Sequence, residues 1–155
     1  MEVTTLSLDL RTPLFYTQES GLDPFDPTIG EDDEALEFMF CFELNGEQSQ
    51  RIDPQADTLF SQLVFSGRGG KAVNDKAMKG PTIHGSGSEP GSLPAGLYLF
   101  TQQRMALGQQ DIFYLAAELQ KDGLWEKYRL ENRLYLRRLY EDGSRVTQLF
   151  RPCSE

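Results

Sequence analysis

Leu36-Glu37-Phe38-Met39-Phe40-Cys41-Phe42-Glu43-Leu44 is the stretch on which the fold turns. Leu36, Phe38, Phe40, Phe42 and Leu44 recur at every second position, with Glu37, Met39, Cys41 and Glu43 between them. A period of two sends the two sets to opposite faces of a strand, so the reading is a half-buried β-strand with its phenylalanines inward. Asn45-Gly46 follows directly. Both residues tolerate positive φ, which marks a hairpin turn. Glu47 to Ile52 is then the return strand, too weakly apolar for anything but an edge.

Toward the N-terminus, Val3 to Leu10 alternates as a first strand. Pro13 interrupts it, and Leu14-Phe15-Tyr16 continues it as an edge. Glu19 to Glu34 is acidic and carries Pro24, Pro27 and Gly30, which is the chemistry of a solvated loop. Downstream, Asp53-Pro54 reads as an N-cap with proline in the first helical turn. Leu59, Phe60, Leu63 and Val64 repeat at helical spacing, so a short helix is expected, although Leu63-Val64-Phe65 also suits a strand. Glycine, serine and proline dominate from Ser66 to Ser92, which predicts a long surface loop.

The C-terminal part reads β-α-β-β. Pro94-Ala95-Gly96 leads into a strand at Leu97 to Phe100. A helix from Asp111 to Asp122 carries Ile112, Leu115, Ala116 and Leu119 on one stripe, with Gly123 as its C-cap. A strand from Arg133 to Tyr140 reaches Asp142-Gly143, a second hairpin turn, and Arg145 to Arg151 returns until Pro152 ends it. The fold expected is α+β: an antiparallel sheet with two helices and a C-terminal β-α-β-β unit. The organisation is a single domain over residues 1–155, with an N-terminal half (1–65), the glycine–serine loop (66–92) and the β-α-β-β half (93–152).

Composition narrows the function. Hydrophobic residues make up 39% of the 155, enough for a core. The net charge of −9 opposes nucleic acid and anionic membranes as partners. No segment approaches the roughly 20 apolar residues that cross a bilayer, and the start has no leader pattern, so a cytoplasmic location is expected. Cys41 and Cys153 read as free thiols, Cys153 in a frayed end.

Residue constellations for common catalysis are missing. His84, in Thr82-Ile83-His84-Gly85, is the only histidine and reads as a loop residue. Gly67-Arg68-Gly69-Gly70-Lys71 is followed by Ala72 and fails the phosphate-loop pattern, which leaves a basic glycine loop. Asp32-Asp33-Glu34 lacks the ligand spacing of a calcium loop. Glu37 and Glu43 share a strand face but stand about 20 Å apart, too far for an acid/base pair. No metal or cofactor is implied. Arg129, Arg133, Arg137, Arg138, Arg145 and Arg151 gather late in the chain, either to grip phosphates or to neutralise the acidic first half.

The aromatic residues of the last third carry the most information. Tyr98 and Phe100 share a strand face, Phe113 and Tyr114 lie on the helix, Trp125 follows it, and Tyr135 and Tyr140 lie on the hairpin. Such rings either fill a core or line a cleft with apolar faces and polar tips. Over 92–152 the pattern resembles the GyrI-like domains, the small-molecule effector-binding modules also attached to AraC-type regulators. The resemblance rests on Pro94-Ala95-Gly96-Leu97-Tyr98, the helix, Trp125 and the strand ending Leu139-Tyr140. It implies a pair of β-α-β-β units, the first degenerate here, around a cleft for lipophilic and often cationic compounds. By position Tyr98, Trp125 and Tyr140 match the family's aromatic positions, while Arg138 stands where the family has a glutamate. An arginine there favours a carboxylate or phosphate on the ligand, and Glu118 offers a negative pole if it faces the cleft. The site expected from these arguments is Tyr98, Phe100, Tyr114, Glu118, Trp125, Arg138 and Tyr140, in a non-catalytic small-molecule-binding domain. The alternative is an acidic interaction domain that binds a partner protein through its N-terminal loop or hairpin edges.

Overall fold

In the computed structural model the described residues are 3–20, 22–29, 31, 35–44, 63–73, 92–119, 122–131 and 133–155. Strands β1 (Leu6–Leu10), β2 (Leu14–Phe15), β3 (Thr17–Ser20), β4 (Leu36–Leu44), β5 (Leu63–Val73), β6 (Ser92–Leu93) and β7 (Gly96–Gln103) come first. Helices α1 (Gln109–Glu118) and α2 (Asp122–Lys127) follow, then β8 (Arg129–Leu130), β9 (Arg133–Glu141) and β10 (Ser144–Ser154). The main sheet runs β1-β7-β10-β9-β4-β5-β3, with β8 also on β10, and β2 pairs with β6 in a separate ribbon. Every pairing is antiparallel, and the fold is α+β.

β4 keeps its expected bounds but is buried on both faces. Phe38, Phe40 and Phe42 join Leu99, Leu134, Leu136 and Leu149 in one cluster with Ile112, Phe113, Leu115, Ala116 and Leu119 of the helical segment. Met39 and Cys41 are buried in a second cluster with Tyr16, Leu93, Tyr98, Tyr135 and Phe150. The alternation in β4 is thus one of large rings against smaller groups rather than of inside against outside. Each fully buried Leu or Phe contributes roughly 1.5–3 kcal/mol, so both faces are true cores.

The hairpin β9–β10 turns at Asp142 (φ 52°) and Gly143 (φ 78°), the pair of positive angles a type I′ turn demands. β10 runs through Pro152 to Ser154. The proline is tolerated because its missing N–H falls where β10 leaves β9 for β8, and its carbonyl still accepts the Glu131 N–H at 3.0 Å. Cys153, paired with Leu130, is therefore held in the sheet, and both cysteines are free.

Three further readings are corrected. α1 ends at Glu118, where the Leu119 N–H bonds back to Leu115 and Ala116; Gly123 lies inside α2 instead of capping α1. The added i to i−3 bond to Ala116 marks the end of the helix, with Leu119 buried, and Leu124 of α2 packs against the same core. The glycine-rich 66–73 is strand, with Gly69 and Gly70 paired to β4 on one side and β3 on the other. Hydrogen bonding at both edges overrides the loop propensity of glycine. Within 19–34, Ser20 closes β3, Pro24 is buried, and the Phe25 ring sits 5.6 Å from Phe42 and 5.3 Å from Phe113. The expected turn at Asn45-Gly46, the strand from Glu47, the helix start at Asp53 and the His84 segment lie outside the described residues. Among the described residues no helix is long and apolar enough to cross a membrane.

Candidate functional site

Successive side chains of a strand alternate between faces, so the sheet sorts the expected site residues. Tyr98 and Phe100 point away from the helices, into the cluster of Tyr135 and Phe150. The Tyr98 ring stands edge-on to both, 6.2 Å from Tyr135 and 5.9 Å from Phe150, and its hydroxyl donates to the Pro94 carbonyl. Phe100 is half-buried, 5.0 Å from Phe150. On the opposite side of the sheet, Tyr114 projects from α1 and is 48% exposed, and Glu118 is half-buried near the end of that helix. Trp125 belongs to α2, with its side chain outside the described part. Among the described side chains of the expected site, only Arg138 and Tyr140, two residues apart on β9, meet in one concavity.

The face bearing Tyr98 also carries a hydrogen-bonded chain across five strands or their flanks. Tyr16 donates from its hydroxyl to Glu37 at 3.1 Å, and Arg137 Nη2 donates to both Glu37 oxygens at 2.9 and 3.0 Å. Arg137 Nη1 donates to Gln148 Oε1 at 3.2 Å, and Gln148 Nε2 to Gln102 Oε1 at 3.1 Å. Burial pushes the Tyr16 hydroxyl well above the ordinary tyrosine range, against the pull of the Arg137 charge. A phenol so held stays neutral and serves as a donor. Among the described residues Arg137 Nε is buried without a hydrogen-bond partner.

The concavity lies on the helix side, between the loop at 23–29 and the β9–β10 hairpin. Pro27, Ile29, Leu36, Phe38 and Tyr140 give it an apolar and aromatic wall, and Arg138, Arg145 and Thr147 add polar atoms. It measures about 260 Å³ including its open mouth, while its interior takes about one water molecule. Arg138 is 5% exposed and donates from Nε to the Pro24 carbonyl at 3.1 Å and from Nη2 to the Leu107 carbonyl at 2.7 Å. Arg145 donates from Nε to the Tyr140 hydroxyl at 2.8 Å, from Nη1 to Pro27 O, and from Nη2 to Thr28 O and Ile29 O at 3.1 and 3.3 Å. Its guanidinium also stands 5.4 Å from the centre of the Tyr140 ring. Arg145 thus holds the 27–29 segment by its backbone carbonyls, and Arg138 ties Pro24 to Leu107. Among the described residues neither has a carboxylate within ion-pair distance.

Arg145, Pro27 and Ile29 were not among the expected site residues. A backbone carbonyl leaves no mark in the identity of its residue, so this clamp had no sequence signal beyond the late cluster of arginines. The chain matches no protein-family model and no curated protein.

Proposed function

We propose that the domain is a non-catalytic binding module for a small lipophilic molecule, of the effector-binding kind its C-terminal half resembles. The supporting observation is the concavity itself, where Phe38, Tyr140, Leu36 and Ile29 surround the buried Arg138. Its interior is far smaller than the roughly 300–1,000 Å³ of sites that engulf a whole ligand. The ligand therefore inserts one small group and rests its apolar body on the rim of Pro27, Ile29 and Leu36. Hydroxyls at the hollow are committed to structure: Thr147 Oγ1 donates to Met105 O at 2.9 Å, and the Tyr140 oxygen accepts from Arg145. A thermal-shift screen with lipophilic acids, amines and alcohols tests the reading, because binding to the native state raises the melting temperature. Tyr140→Ala should remove any shift. A shift that survives this change places the ligand elsewhere, and no shift in any class sinks the reading.

A second reading, a partner protein bound by strand addition, is favoured by one feature. β1 ends the sheet, no strand among the described residues pairs with its outer edge, and Leu6 on it is 55% exposed. Leu6→Lys should then abolish partner binding while leaving a ligand-induced shift intact.

A further inference from the structure

Resting on the small-molecule reading, we infer that the ligand is an anion, whose carboxylate or phosphate group enters the hollow and is held by Arg138 and Arg145. Two guanidinium groups share this one small space, and the hydrogen-bond partners they have are neutral: the carbonyls of Pro24, Leu107, Pro27, Thr28 and Ile29 and the Tyr140 hydroxyl. Asp26, the acid of the adjoining loop, accepts from the Thr28 N–H at 2.9 Å and the Thr28 hydroxyl at 2.7 Å, and its charge reaches both guanidinium groups without touching either. Among the described residues neither positive charge, one of them almost wholly buried, has a carboxylate in direct contact. Asp26 acts on both only from beyond ion-pair distance, so an anion in the hollow would supply the close partner they lack. Hydrogen bonds from a guanidinium to an oxyanion are roughly twice as strong as those between neutral groups. An oxyanion therefore competes well with the loop carbonyls for Arg145. Arg138 uses Nε and Nη2 on carbonyls, and among the described residues its Nη1 has no acceptor. Burial, offset only in part by Asp26 and Asp23 and reinforced by the charge of Arg145, pushes the Arg138 guanidinium down to about 10, a strain an anion between the two would relieve.

The test uses three eight-carbon probes that differ only in the head group: octanoate, octanol and octylammonium, titrated into the full chain by calorimetry. Octanoate is expected to bind at least tenfold more tightly than octanol, with octylammonium weaker still, and its affinity should fall as salt rises. Arg145→Gln should lower octanoate affinity at least tenfold more than it lowers octanol affinity. If that variant loosens the loop and fails to fold, Arg145→Lys keeps the charge, loses the fork and should give a smaller loss. Equal binding of octanoate and octanol, or octanoate binding that ignores Arg145→Gln, overturns the anion inference and leaves the binding module standing. Binding of none of the three overturns both.

Discussion

The two faces of the central sheet are both buried, yet different physics holds each one. Against the helices lie Phe38, Phe40, Phe42, Leu134, Leu136 and Leu149, groups that need only to be out of water. The other face holds Tyr16, Tyr98 and Tyr135 beside the chain from Tyr16 through Glu37, Arg137 and Gln148 to Gln102, where nearly every polar atom needs a partner. Stability on the first face scales with volume filled. On the second it depends on hydrogen bonds kept, so a change of shape-conserving kind matters more there than a change of size.

The contrast can be broken in four ways, taken from the largest effect down. Phe40→Ala removes a fully buried ring from the helix face and should cost about 3–5 kcal/mol in urea unfolding; a loss below about 1.5 kcal/mol means that face is not governed by volume. Glu37→Ala strands Arg137 and should cost roughly 3 kcal/mol, whereas replacing both residues by Met should recover most of it. Equal losses from the single and the double change would show that the pair itself, not the stranded charge, carries the energy.

Alkali comes next. Tyr16, Tyr98 and Tyr135 all have raised pKa values through burial, Tyr135 to about 12. A raised value means the folded state holds its proton longer, so stability is complete below the usual value of 10 and is lost as pH climbs above it. The expected loss is about 1.4 kcal/mol per pH unit for each tyrosine still protonated in the fold. Unfolding midpoints measured from pH 9 to 12 should fall accordingly; a flat profile would contradict the burial of these rings. Last, Tyr114→Ala lies on the outside of α1 and should change stability by no more than about 0.5 kcal/mol. A cost above 1 kcal/mol would show that its ring belongs to a packed surface.

Local signals were legible where they were strong. The period of two in β4 and the positive-φ pair Asp142-Gly143 located the centre of the sheet and its last hairpin. Glycine at 67, 69 and 70 hid β5, because composition reports what a segment prefers alone, not what two neighbouring strands impose on it. Pro152 misled for the same reason, since its missing donor matters only if a partner strand needs it. At the site, alternation placed Tyr98 with Phe100, but a strand's sequence does not say which side the helix covers. That is why the structure sets Tyr98 and Tyr114 on opposite sides of the sheet.

β10 occupies an unusual place in the order of the sheet. It lies between β7 and β9, so β1 and β7 join β9, β4, β5 and β3 only through it. A ribosome would therefore deliver both wings before the strand that unites them, and neither core can close until residues 144–154 have emerged. With β1 also waiting some ninety residues for Phe100, partner of Leu6, assembly depends on distant pairings and is expected to take milliseconds to seconds, not microseconds. Stopped-flow refolding in the microsecond range would show that the wings find each other by another route.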